Sequence, residues 1–120
     1  MALKLTTRIS GEVTVIDLSG RLTLGEGPAA LRKLLQEVAA GGGRKIVLNL
    51  KDVSSIDSSG LGELVSSHVN AKHNGGSLKM VGVSKRVQEL FQMTGIYRVV
   101  DIHDDETDAI RSWTQTPNRD

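Results

Sequence analysis

The segment from Ser54 to Leu64, SSIDSSGLGEL, concentrates the residues that could do chemistry. It holds four serines, one aspartate and two glycines, and it lies between a run of strand-forming residues and a helical pattern. A serine in such a setting can act as a nucleophile, bind a phosphate group, cap a helix or be modified by another enzyme. The residues around the segment discriminate among these roles.

Catalysis by one of these serines is poorly supported by the sequence. The hydrolase motif Gly-x-Ser-x-Gly requires a glycine two places before the nucleophile, and none precedes Ser58 or Ser59 in this way. Of the histidines that could act as a base, His68 and His73 lie along the following helix, away from its N-terminus, and His103 follows the last predicted strand. We therefore expect a protein that is not an enzyme.

Phosphate binding and phosphoryl acceptance by an aspartate are two further possibilities for this segment. It contains no Gly-Lys-Ser/Thr and no complete Gly-x-Gly-x-x-Gly, although Ser58 to Gly60 could hold an anion at a helix N-terminus. Asp57 ends the third predicted strand, as the phosphate acceptor of receiver domains does. The residues after the last strand, from His103 to Asp105, include no lysine of the kind that receivers need. The sequence therefore predicts no metal site and no cofactor.

The helix that follows the segment has an unusual composition. Asp57 or Ser58 is predicted to cap it. Its first turns carry small residues on the face that we predict to lie opposite the apolar stripe, namely Ser59, Gly62, Ser66 and Ser67. Glycine and serine are poor helix formers, but a flat face of small residues lets another protein approach closely. We interpret this face as a docking surface.

The composition describes one small domain without a strongly charged target. The chain has 120 residues, 15 Lys and Arg against 14 Asp and Glu, and no cysteine. This balance gives no electrostatic reason to expect nucleic acid or a membrane surface as a partner. The N-terminal residues lack a signal-peptide pattern, and no apolar run approaches the ~20 residues of a membrane helix. We expect a cytoplasmic protein.

Hydrophobic periodicity predicts the elements that position the serine segment. Strands are predicted at residues 3–9, 13–18, 45–50, 77–83 and 97–102, and helical spacing follows each strand after the first. The predicted fold is α/β, with a mixed, mostly parallel sheet of about five strands, four helices and an N-terminal antiparallel hairpin. One domain is predicted over residues 1–113, followed by a polar C-terminal tail at 114–120.

Sites in such folds gather at the carboxyl ends of the strands. The layout puts the serine segment in the loop after the third strand. It also puts the segment from Gly25 to Gly27, which follows the second strand, at the same edge of the sheet. The two loops are therefore expected to lie side by side.

The residues in this setting resemble a known family. The stretch LNLKDVSSIDSSGLGELV is similar to the signature of the STAS domain of bacterial anti-sigma factor antagonists. The resemblance runs from Leu3 to Trp113 and includes VIDLSGRL and GGSLKMVGVSKRVQELFQMTGIY. It implies a STAS domain over residues 1–113.

The resemblance implies regulation by partner switching. In this family a kinase-type anti-sigma factor phosphorylates the first serine of Asp-Ser-Ser-Gly, here Ser58, and a PP2C-type phosphatase removes the phosphate. The unmodified antagonist binds the anti-sigma factor. The residues expected to contact that partner are Asp57, Ser59, Gly60, Gly62, Glu63, Ser66, Thr23 and Glu26.

Within this expected set, Asp57 would orient the acceptor serine, and Ser59 and Gly60 would shape the loop. Thr23 stands where the family often has aspartate, and Glu26 is a nearby carboxylate that could replace it. Two other functions stay open from the sequence. One is a STAS scaffold module of a stressosome or a lipid ABC transporter, and the other is a small-molecule or nucleotide-binding module.

Overall fold

The computed structural model describes residues 3–114, which form a mixed four-stranded sheet packed against helices. The strands are β1 (Leu3–Ser10), β2 (Val13–Leu22), β3 (Lys45–Ile56) and β4 (Ser77–Val81). The helices are α1 (Glu26–Ala40), α2 (Ser58–His73), α3 (Lys85–Thr94) and α4 (Glu106–Thr114), with one 3₁₀ turn at Ile96–Arg98. The predicted α/β class and helix order are confirmed.

The sheet has the order β1-β2-β3-β4. Strands β1 and β2 form the predicted antiparallel hairpin, and β3 runs parallel to both β2 and β4. Because β2 and β3 are parallel, the turn into α1 and the turn into α2 leave the sheet at the same edge. The prediction that the two loops lie side by side is therefore confirmed.

The predicted fifth strand at residues 97–102 is wrong. Gly95 adopts a left-handed conformation (φ 78°) that ends α3, and the chain then forms the 3₁₀ turn. Only Ile102 makes a β-bridge, to Met80, through hydrogen bonds from Met80 N to Asp101 O and from His103 N to Met80 O, both 2.8 Å. The apolar residues Tyr97 and Val99, which suggested a strand, are exposed.

Two layers of apolar side chains flank the sheet. The larger layer joins the sheet to α1, α2 and α3 and includes Leu31, Leu48, Leu64 and Phe91. The smaller one lies under α4, where Ala109 is fully buried with Ile110 and Trp113 packed beside it. Helix α4 packs on the sheet through this smaller layer. Of the predicted tail, Thr114 belongs to α4, and residues 115–120 lie outside the described range.

Candidate functional site

The serine segment begins inside a strand. The prediction that the whole segment lies in a loop is therefore wrong. Strand β3 continues to Ile56, so that Ser54 and Ser55 lie within it, and β2 extends beside it to Leu22. Register pairs Arg21 with Ser55 and Leu22 with Ile56. The chain therefore leaves the sheet only at Asp57, directly before helix α2.

Asp57 caps helix α2 and binds the neighbouring turn. Its Oδ1 accepts hydrogen bonds from the backbone N–H groups of Ser59 (3.0 Å) and Gly60 (3.1 Å) and from the Ser59 hydroxyl (2.6 Å). Its Oδ2 accepts one from the backbone N–H of Leu24, at 2.8 Å. Of the two predicted capping residues, Asp57 is the one that caps. It also joins the β2–α1 turn to the start of α2.

These donors stabilise the ionised form of Asp57. The Ser59 hydroxyl, followed by the backbone N–H groups of Leu24 and Gly60, holds the pKa of the Asp57 carboxyl at about 2, below its ordinary value of 3.8. A carboxyl whose pKa is lower in the folded than in the unfolded state stabilises the fold above its unfolded pKa. That contribution disappears as the pH falls through the folded pKa.

We expect Asp57→Asn to change the acid sensitivity of the protein. At neutral pH the variant should be less stable, because an amide cannot accept from all of these donors. The difference in free energy of unfolding should shrink as the pH falls from about 4 to about 2. Urea unfolding of both proteins at a series of pH values measures this difference in free energy. Asp52→Asn, which removes an exposed carboxylate on β3, is the control, and a pH-independent difference for Asp57→Asn would contradict the assignment.

The two serines after Asp57 differ in their surroundings. Ser59 is half-buried, and its hydroxyl donates to Asp57. Ser58 is exposed as the first residue of α2, and within residues 3–114 its hydroxyl makes no hydrogen bond. Of these two serines, Ser58 is thus the one whose hydroxyl is free for an incoming enzyme. Both Asp57 oxygens contact other groups, so the predicted orientation of Ser58 by Asp57 is not seen in this structure.

The two glycines of the segment have different roles. A Cβ atom on Gly60 would lie 2.0 Å from the backbone oxygen of Leu22, so only glycine lets α2 start this close to the end of β2. Gly62 is exposed, and a Cβ atom there would meet nothing within 4 Å. Gly60 is therefore required for packing inside the protein. Because Gly62 has no side chain, the exposed face of α2 is flat at this position.

Glu63 and Ser67 do not lie on the exposed face of α2. The Glu63 side chain is only 3% exposed and forms an ion pair with Arg32 of α1 at 2.8 Å. Ser67, one helical turn later, is also buried, and its hydroxyl donates to the Glu63 backbone oxygen at 2.7 Å. The prediction that Ser67 is exposed is wrong. The partner contact of Glu63 stays a prediction, and it would have to be made by a buried side chain. The ion pair with Arg32 compensates the buried charge of Glu63.

Ser66 is exposed on α2, as predicted, and the β2–α1 turn stands beside the start of the helix. In this turn Thr23 is half-buried, and Glu26, the first residue of α1, is exposed. Leu24 is the most prominent residue of the turn, with 84% of its surface exposed. The hydrogen bond from its backbone N–H to Asp57 places Leu24 close to the residue that precedes Ser58.

An open groove lies on the α3 side of the same edge. It has a volume of about 320 Å³, and its walls include Ser55 and Ile56 of β3 and Arg86, Glu89 and Met93 of α3. Met93 is 82% exposed. Sequence reasoning missed both Leu24 and Met93 as site residues. Each is a large apolar residue among polar neighbours, but only the tertiary structure brings both to this edge.

Other kinds of site find no support in the described residues. Between residues 3 and 114, no three His, Asp or Glu side chains are grouped so that they could hold a metal ion. None of the helices in this range combines the length and the apolar character needed to cross a bilayer.

Comparison with known proteins identifies the arrangement. The family model of the STAS domain matches residues 4–109. The anti-sigma-B factor antagonist of Bacillus subtilis (strain 168) is 36% identical over 87 residues, which cover 72% of this chain and 78% of that protein. The anti-sigma F factor antagonist of Paenibacillus polymyxa is 28% identical over 98 residues, covering 82% of this chain and 84% of that protein.

Solved structures show the same fold. Protein TM1081 of Thermotoga maritima superposes with a TM-score of 0.84 at 27% identity, over 92% of this chain and 95% of that one. The anti-sigma factor antagonist SpoIIAA in its unphosphorylated form gives a TM-score of 0.68 at 20% identity, over 94% of this chain and 97% of that one. At this identity, the likeness to SpoIIAA concerns the fold.

Proposed function

Since this chain belongs to the STAS domain family and its matching curated relatives are anti-sigma factor antagonists, we propose that it is a phosphorylation-controlled anti-sigma factor antagonist. When unphosphorylated, it binds a kinase-type anti-sigma factor. That kinase transfers a phosphate to Ser58 and the complex dissociates, and a PP2C-type phosphatase restores the binding form. The protein itself acts as a substrate and a ligand, and not as a catalyst.

The observation that carries this proposal is the difference between the two neighbouring serines. The Ser59 hydroxyl donates a hydrogen bond to Asp57, whereas the Ser58 hydroxyl is exposed at the start of α2. A phosphate on Ser58 would also sit near the N-terminus of a helix, where negative charge is tolerated by the fold. SpoIIAA, which shares this fold, has also been solved in a phosphorylated form.

We define the partner-docking surface as Leu24, Ser58, Gly62, Ser66 and Met93. Leu24 and Met93 are exposed apolar side chains at the carboxyl edge of the sheet, on the β2–α1 turn and on α3. Gly62 and Ser66 leave the face of α2 flat. Apolar anchors around a flat centre are typical of interfaces in which a few residues supply most of the affinity. Thr23, Glu26 and Ser59 lie at the margin of this surface.

We expect Leu24→Ser and Met93→Ser each to weaken binding of the anti-sigma factor by about tenfold or more, because each removes an apolar side chain that a partner would bury. Isothermal titration calorimetry with the purified partner measures the change. Ile9→Ser is the matched control, since Ile9 is 72% exposed on β1 and outside the docking surface. Equal effects of all three substitutions would argue against this surface.

The proposed function is tested by phosphorylation in vitro. The protein is incubated with ATP and a kinase-type anti-sigma factor from the same genome, and the modified residue is mapped by mass spectrometry. We expect a single phosphate on Ser58 and none in Ser58→Ala. Modification elsewhere that persists in Ser58→Ala would overturn the assignment.

A further inference from the structure

A second candidate site lies in a cleft between helices α1 and α2. Its floor is formed by Ile46 of β3 and Leu78 of β4, and Leu35 and Ala71 form apolar walls. The cleft encloses about 50 Å³, several times the roughly 10–15 Å³ that a single water needs. None of the residues of the partner-docking surface lines it. The cleft is thus separate from the site at Ser58.

Glu63 presents an incompletely paired carboxylate oxygen in this cleft. Its Oε1 accepts two hydrogen bonds from Arg32, from Nε at 3.1 Å and from Nη2 at 2.8 Å. Its Oε2 has only the Ser67 hydroxyl at 3.3 Å. That hydroxyl has one proton and makes its shorter bond, 2.7 Å, to the Glu63 backbone oxygen.

A buried carboxylate oxygen that lacks a full donor is unfavourable, because buried polar groups normally have hydrogen-bond partners. The Glu63 side chain is only 3% exposed, so bulk water does not satisfy it freely. A donor that entered the cleft would supply the missing bond while its apolar part contacted Leu35 and Leu78. A few placed polar groups in an apolar recess are typical of small-ligand sites.

We propose that the α1–α2 cleft binds the end of a small ligand that carries a neutral hydroxyl or amide donor on a short apolar stem. The donor bonds to Oε2 of Glu63, and the stem lies against the apolar walls. A cationic head is disfavoured because two guanidinium groups, those of Arg32 and Arg44, also line the cleft. An anionic head cannot donate a hydrogen bond to Oε2 of Glu63 and would be repelled by this carboxylate.

Three probes with the same three-carbon stem test the proposal: n-propanol, propylammonium chloride and sodium butyrate. Each is titrated into the full chain, and ¹H–¹⁵N correlation spectra are recorded. We expect saturable shifts for n-propanol at the amides of Leu35, Ala39, Ser67 and Ala71, which line or border the cleft. The two charged probes should bind at least tenfold more weakly.

Two variants locate the binding in the cleft. Glu63→Gln keeps the size of the side chain, removes the charged acceptor and should weaken n-propanol binding at least tenfold. Ala39→Leu leaves the Arg32–Glu63 pair intact and should abolish binding by filling the cleft from α1. Equal affinity for the three probes would mean that only apolar contact matters. The absence of saturable shifts would mean that the cleft holds solvent alone. Either result overturns the proposal.

Discussion

A negative charge on Ser58 is expected to weaken binding of the anti-sigma factor at least a thousandfold. Ser58 is exposed at the start of α2, within the proposed docking surface, so a phosphate there would be buried against the partner beside the ionised Asp57. Burial of an unpaired charge costs several kcal/mol, and about 4 kcal/mol already corresponds to three orders of magnitude in affinity. The phosphorylated protein and Ser58→Glu should both show this loss in calorimetric titrations.

Thr107→Glu is the matched control for this prediction. Thr107 is exposed in the first turn of α4, so the substitution also places a glutamate at a helix N-terminus, away from the docking surface. It should leave partner affinity unchanged, and Ser58→Ala should retain binding. If Thr107→Glu and Ser58→Glu weakened binding equally, the effect would come from overall charge and not from the site.

The same comparison tests how the switch works. All the donors to Asp57 belong to the cap of α2 and to the β2–α1 turn, and the Ser58 hydroxyl is not among them. We therefore expect phosphorylation to disrupt the interface without remodelling the domain. Chemical-shift changes should stay near the start of α2 and the β2–α1 turn. Large changes spread through the core would contradict a switch of this kind.

Gly60→Ala is expected to lower the free energy of unfolding by about 3 kcal/mol or more. The added Cβ would lie 2.0 Å from the backbone oxygen of Leu22, and a backbone atom of a buried strand end cannot move aside like a flexible side chain. Relief would require α2 to shift away from β2. This movement would also strain the bonds from Ser59 and Gly60 to Asp57. Urea unfolding followed by circular dichroism measures the loss.

Gly62→Ala, two residues later in the same helix, is the matched control. No atom lies within 4 Å of the new Cβ, and alanine favours the helix over glycine by up to about 1 kcal/mol. We expect this variant to be slightly more stable than the wild type. Its partner affinity should nevertheless fall, because the methyl group rises from the flat face of α2. A loss of stability like that of Gly60→Ala would contradict the assigned difference between the two glycines.

Local patterns predicted the parts of the fold that depend on residues close in sequence. The antiparallel hairpin of β1 and β2 was predicted from such signals and is confirmed. Signals of the same local kind bound α3, which Ser84 caps and Gly95 ends in a left-handed conformation. The prediction of a fifth strand was wrong although the apolar residues at 97–102 fit a strand pattern. The left-handed Gly95 leads the chain into a 3₁₀ turn, and Tyr97 and Val99 stay exposed. Only Ile102 reaches β4.

The sequence by itself determined the family, the α/β order and the segment in which the site lies, since these follow from periodicity, turn residues and the Asp-Ser-Ser-Gly motif. Tertiary structure decided the role of each residue within that segment. Asp57 became the cap that binds a turn 33 residues away, and Glu63 was buried by Arg32, 31 residues away. The physical reason is that burial and hydrogen bonding depend on which distant elements meet, and periodicity within one helix does not specify them.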